Sequence, residues 1–177
     1  MRQVVLLRGI NLGSRNRVAM PALRETLARA GFEEVRTYLQ SGNVVLASGS
    51  SAGELAARCE RLIADAFGLD VSVLVRSGEE LSEIVRLNPL GDIAVNPKRY
   101  QVTFLASELP TSTLERLTAL AAPTERFVAR GRELYAWHPH GIGRSRLWAR
   151  LASRSLGVTA TARNWTTVTS LLEMARE

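Results

Sequence analysis

Several short stretches of this 177-residue chain combine residue types suited to holding an anion. The first is "RGINLGSRNR", where Arg8, Asn11, Arg15 and Arg17 surround Gly9 and Gly13. The second is "QSGN", with Gln40, Ser41 and Asn43 about Gly42. Further along, "HPHGIGRS" carries His138, His140, Arg144 and Ser145, and "ARNW" carries Arg163 and Asn164. Backbone amides freed by glycine, a hydroxyl and guanidinium forks are what a phosphate or carboxylate requires. Neither established phosphate fingerprint is present, since "GINLGS" is neither G-x-G-x-x-G nor a P-loop. Glycine and asparagine are also ordinary turn residues. Turn structure and anion binding therefore both remain open for these loops.

Other chemistries find less support. His138 and His140 stand at i and i+2, yet no acidic or thiol residue lies near them in sequence, and no metal site is expected. A general-base role for His140 has no partner in its own stretch. Cys59 is the sole cysteine, which excludes an internal disulfide and a multi-cysteine metal site. It falls on the apolar face of a helix beside Leu55, Leu62 and Ile63, where it reads as packing. No serine–histidine–acid arrangement is evident, no cofactor is implied, and no catalytic residue can be assigned.

The elements that would position these residues follow from periodicity. "QVVLL" reads as a strand, and the polar loop after it leads to a helix opened by Pro21, with Met20, Leu23, Leu27 and Ala30 at helical spacing. Two strands, "EEVRTYL" and "NVVLAS", flank the "QSGN" turn, a second helix follows, and "DVSVLV" closes the segment. The order is β-α-β-β-α-β, a ferredoxin-like arrangement. Ser77 with Glu80 makes a capping box for a short helix bearing Leu81, Ile84 and Val85. The order then restarts at "YQVTFLA". Ser112 with Glu115 is expected to cap a helix, "ERFVAR" and "ELYAW" form a hairpin, and a helix runs from about 146 to 154 with Arg146, Arg150 and Arg154 on one face. Asn164 caps a final helix. The expected fold class is α+β, two ferredoxin-like halves packed together with an extra C-terminal helix. The halves are residues 1–77 and 100–177, with 78–99 connecting them. No residue-level repeat is visible, so the duplication rests on element order alone.

This topology makes a spatial prediction. In such a unit the chain leaves its first and second strands at the same edge of the sheet. The "RGINLG" loop and the "QSGN" hairpin should then be neighbours, beside the amino end of the Pro21 helix and its free amides.

Composition sets the outer bounds. The net charge is +6, and of 23 basic residues only Lys98 is lysine, a usage that fits a GC-rich genome. Residues 126–163 hold eight arginines against Glu133, so the charge concentrates in the second half. No apolar run is long enough to span a bilayer, and "MRQVVLLRGIN" lacks the form of a secretory signal. The expected setting is cytoplasmic, with no membrane partner. The expected partner is a small anionic ligand, phosphorylated or carboxylated, at the loop rim or between the halves. Two alternatives are single-stranded nucleic acid, favoured by the basic window and the Tyr135/Trp137 pair, and an acidic protein. Against nucleic acid, "NVVLAS" and "QVVLL" lack the aromatic pair of an RNA-recognition sheet. Oligomeric state cannot be read from the sequence.

The motifs "LLRGINLG", "MPALRETLARAGFEEVRTYLQSGNVV", "VTFL", "GIGRSRL" and "TARNWTTV" together resemble an uncharacterised bacterial family, the domain of unknown function numbered 1697. The resemblance runs over nearly the whole chain and implies an α+β protein with paired ferredoxin-like halves, in agreement with the element order. It brings no reaction, cofactor or catalytic residue. Ser14 and Arg15 stand where many relatives have a glycine and a lysine, which keeps a small residue next to a cation.

Overall fold

The computed structural model describes all of residues 1–177, and these divide into two compact units. The first comprises Met1–Glu83 with Ser170–Glu177, the second Ile84–Thr169.

In the first unit, β1 (Arg2–Leu7), α1 (Met20–Arg29), β2 (Glu33–Tyr38), β3 (Asn43–Ala47), α2 (Ala52–Phe67) and β4 (Val73–Ser77) build one sheet in the order β2-β3-β1-β4, every neighbouring pair antiparallel. Strands alternate their side chains. Val5, Leu7, Val44, Leu46, Val73 and Val75 therefore meet Met20, Leu23 and Leu27 of α1 and Leu55, Cys59 and Ile63 of α2 in one core. The opposite face, with Val4, Leu6, Val45 and Leu74, is as apolar and also buried. Ser51 and Glu54 form a full capping box on α2, and Gly68 in left-handed conformation ends it. The next helix, α3 (Gly78–Leu87), opens on the expected box: Ser77 N donates to Glu80 Oε2 at 2.8 Å and Glu80 N to Ser77 Oγ at 3.0 Å.

The second unit repeats the plan with β5 (Tyr100–Leu105), α4 (Thr111–Leu120), β6 (Arg126–Arg130), β7 (Glu133–Trp137), α5 (Arg146–Leu151) and β8 (Ala160–Asn164), in the order β6-β7-β5-β8. Leu105, Leu117, Leu134, Ala136, Leu147, Leu151 and Leu156 fill its helix-side core. The last helix, α6 (Trp165–Arg176), starts as expected with Thr167 N donating to Asn164 Oδ1 at 2.9 Å. Its Trp165 ring stacks on Tyr100 at 4.9 Å. The α+β class, the two four-stranded sheets and the added C-terminal helix are thus as the sequence predicts.

Two local expectations are corrected. Ser112 does not cap α4, because the helix already begins at Thr111 behind Pro110, which has no side-chain donor or acceptor. The helix expected over 146–154 stops at Leu151, where Ser153 Oγ turns back to Arg150 O at 2.8 Å, and a separate 3-10 turn follows at Arg154–Leu156. The arginine stripe is broken there, and only Arg146 and Arg150 belong to α5.

The strand registers also place a few like residues at equivalent points of the two sheets. Gln3 stands opposite Ser77 and Val4 opposite Arg76, just as Gln101 stands opposite Asn164 and Val102 opposite Arg163. Each closing strand therefore runs arginine, then helix cap, then helix. Both arginines are buried, Arg76 at 2% and Arg163 at 8% exposure.

Candidate functional site

The two units differ most in their connections. Between first strand and first helix, the second unit uses five residues, 106–110, whereas the first uses twelve, 8–19. The fold needs only the shorter link, and loops of the longer kind are enriched in function.

The long loop is internally built. Asn11 N donates to Asn16 O at 2.9 Å and Arg15 N to Leu12 O at 3.1 Å, closing a small turn with Leu12–Arg15 at its tip. Asn11, Gly13 and Asn16 all take positive φ there. The Asn11 amide then ties the turn down: Nδ2 donates to Val18 O at 2.8 Å and to Gln40 O at 2.6 Å, while Oδ1 accepts from Val18 N at 2.8 Å. The bond to Gln40 joins this loop to the "QSGN" hairpin, as the topology requires. Leu7 N donates to Gly42 O at 2.9 Å at the same junction. A Cβ on Gly42 would come within 2.7 Å of Leu7 Cβ and 2.8 Å of Ile10 Cδ1, so only glycine permits this approach. Asn43 is fully buried and donates to Tyr38 O and Ser41 Oγ, both at 3.0 Å.

The expected rim residues therefore fall into two groups. Asn11 and Asn43 have their amides engaged in holding the rim together. Arg15, Arg17, Gln40 and Ser41 are exposed on it, and Arg8 is half-buried at its base. Leu12 and Arg15 pair as an isolated antiparallel bridge, and the amides of Gly13 and Ser14 inside it donate to no backbone acceptor. The amino end of α1, behind Ala19, has no side-chain cap. Across 8–19 and 39–43 there are three arginines and no acid. Leu12 and Leu39, at 67% and 57% exposure, flank the Asn11–Gln40 bond, and Leu39 holds a left-handed φ of 56°. A branched side chain in that region is strained, and such strain gathers at functional loops.

The remaining expected residues belong to the second unit. There the elaborated link is 138–145, between β7 and α5. His140 and Arg144 are exposed on it, and Ser145 caps α5 by accepting from Trp148 N at 3.0 Å. Asn164 is engaged as the cap of α6. Arg163 lies on the sheet, donating to Thr161 Oγ1 at 2.6 Å and Ala162 O at 2.9 Å. Burial pushes its guanidinium down to about 10, so it stays charged at neutral pH. Tyr135 and Trp137 are buried at 0% and 8% exposure, so the aromatic pair offers no face to a base.

Under the 138–145 loop lies a cluster that the sequence does not announce. His138 is fully buried with Nδ1 on Glu125 Oε2, and Ser145 Oγ donates to the same oxygen at 2.6 Å. Ala122 N donates to Glu125 Oε1 at 3.0 Å. Burial alone would raise the Glu125 carboxyl; the bonds from Ser145, Ala122 and His138 outweigh it and hold the group below its ordinary value. An ionised carboxylate only accepts, so Nδ1 carries the proton. The residue types are those of a hydrolytic triad, but the wiring is not. In a triad the serine faces Nε2. Here Ser145 shares the carboxylate with Nδ1, and Nε2 is buried without a partner. The cluster pins both ends of the loop; it does not activate a nucleophile. Glu125 was missed because it is remote from the loop in sequence and only the β6–β7 pairing brings it there.

Fold and loops together define an α+β protein with two ferredoxin-like halves, each bearing one extended polar connection. The chain belongs to the family described as "Protein of unknown function (DUF1697)", whose model matches residues 1–135. Among solved structures it is similar to the conserved bacterial protein SP0830 from Streptococcus pneumoniae, at 24% identity and a TM-score of 0.75 over 98% of each chain. That likeness concerns the fold. No protein with a curated description matches. No group of three or more metal-binding side chains is present, and no helix is long and apolar enough to cross a membrane.

Proposed function

We propose that the chain binds a small anionic ligand, phosphorylated or carboxylated, at the rim formed by residues 8–19 and 39–43. The observation that carries this reading is the closure of the rim through Asn11 Nδ2 and Gln40 O at 2.6 Å, which holds an extended, acid-free loop in one conformation. Arg15 and Arg17 supply the bidentate contacts, Ser41 and the Gln40 side chain the neutral ones, and the tip amides the rest. Asn11, Asn43 and Gly42 form the frame, which keeps the ordering cost of binding low. A nucleic-acid reading based on the sheet face is not favoured, since Tyr135 and Trp137 are buried.

The test is thermal stabilisation by a panel of nucleotides, sugar phosphates and dicarboxylates. A ligand at about 100 times its Kd should add about 2.7 kcal/mol. The double variant Arg15→Ala/Arg17→Ala should fold normally and lose that stabilisation. A panel without a hit at millimolar concentration, or a hit indifferent to the double variant, counts against the proposal.

A further inference from the structure

At the edge of the second sheet where β5 begins and β7 ends, three segments meet. His138 N donates to Arg99 O at 3.0 Å, Arg99 Nη1 donates to Pro139 O at 2.6 Å, and Arg126 stands opposite Trp137 where β6 pairs with β7. Lys98, Arg99, Arg126, Arg144 and Arg146 are all exposed on these segments. The single carboxylate among residues 96–99, 125–126 and 138–146 is Glu125, which is buried and turned toward His138 and Ser145. The result is a strongly cationic edge with no exposed counter-charge of its own, and it shares no residue with the 8–19 rim.

We propose that this edge binds the phosphodiester backbone of nucleic acid without reading base sequence. Backbone binding needs cations and released counterions, and little else. Base readout is not provided for: Tyr135 and Trp137 are buried, Trp165 is stacked on Tyr100, and Trp148 packs edge-on against His138. An acidic protein partner is disfavoured because protein interfaces draw their energy from apolar and aromatic anchors. The only large apolar side chain exposed on these segments is Ile142, at 36%. Guanidinium groups, four of the five cations here, match phosphate oxygens in a bidentate fork. Arg144 is carried on a loop whose two ends are fixed by Glu125, so its placement precedes binding.

The experiment is fluorescence anisotropy of a labelled oligothymidylate titrated with the full chain over a range of salt concentrations. Each phosphate neutralised on a single strand contributes about −0.7 to the slope of log K against log salt, so five cations predict a slope approaching about −3.5. Arg144→Ala/Arg146→Ala should reduce the slope's magnitude by about 1.4, with an unchanged melting temperature. Lys98→Gln provides a second variant, with a reduction of about 0.7, should the double variant fail to fold. Arg61→Ala, exposed on α2 of the first unit, should bind like the wild type. Absence of binding at low salt, a slope near zero, or variants that bind like wild type would overturn the proposal. Competition by polyglutamate as effective as by unlabelled oligothymidylate would reassign the edge to an acidic protein.

Discussion

Glu125 shows how much one residue can organise. Its carboxylate receives Ser145, Ala122 and His138, and so fixes the start and end of the 138–145 loop together. Its folded pKa lies below the ordinary value of 4.5, so its contribution to stability is fully present above that value and vanishes as pH falls through the lower folded one. Wild type should therefore lose more stability than Glu125→Gln as the pH is lowered below the ordinary carboxyl value in urea titrations. At neutral pH the variant should be destabilised by about 1–3 kcal/mol, because three donors lose a charged acceptor. Parallel pH profiles for the two proteins would contradict this role. At the same scale Cys59 was legible. Its place among Leu55, Leu62 and Ile63 predicts packing, and the structure buries it, which pushes its thiol up to about 12. Thiol reagents should label it only at the rate of unfolding. Glu125 was not legible, because a buried hydrogen-bonded cluster is set by strand pairing and leaves no periodic trace in sequence.

At the scale of elements, the helix starts separate what local sequence decides from what it does not. Ser77 and Asn164 are followed by apolar-periodic segments and both serve as caps, as read. Removing either hydroxyl or amide acceptor, as in Asn164→Ala, should cost about 1 kcal/mol in chemical denaturation. Ser112 has the same local signature and fails, because Pro110 starts α4 two residues earlier. The loop–hairpin junction was legible too, since strand order alone places the ends of β1 and β2 at one edge. What sequence could not supply was its tightness. Gly42→Ala would set a methyl against Leu7 and Ile10 at a positive φ of 77°. A loss of more than about 1 kcal/mol is expected, beyond the usual Gly→Ala range, together with faster amide exchange in residues 8–19. Wild-type exchange in that variant would mean that the loop does not depend on the hairpin.

Over the whole molecule, the same βαββαβ plan occurs twice and is decorated differently each time. The first unit lengthens the link after its first strand, the second the link after its third. Matching registers, with Arg76 and Arg163 at equivalent points of β4 and β8, make the repeat one of geometry more than of residue identity. Linear comparison misses it because the shared residues are few. Both decorated links carry arginine and no acid: Arg8, Arg15 and Arg17 in the first, Arg144 in the second. The anion site proposed at residues 8–19 and 39–43 is open to one decisive measurement. The most direct test is a two-dimensional amide spectrum of the labelled protein titrated with inorganic pyrophosphate. Saturable shifts concentrated at Leu12–Arg17 and Gln40–Gly42 are expected, absent in Arg15→Ala/Arg17→Ala. Shifts confined to the second unit, or none at millimolar pyrophosphate, would contradict it.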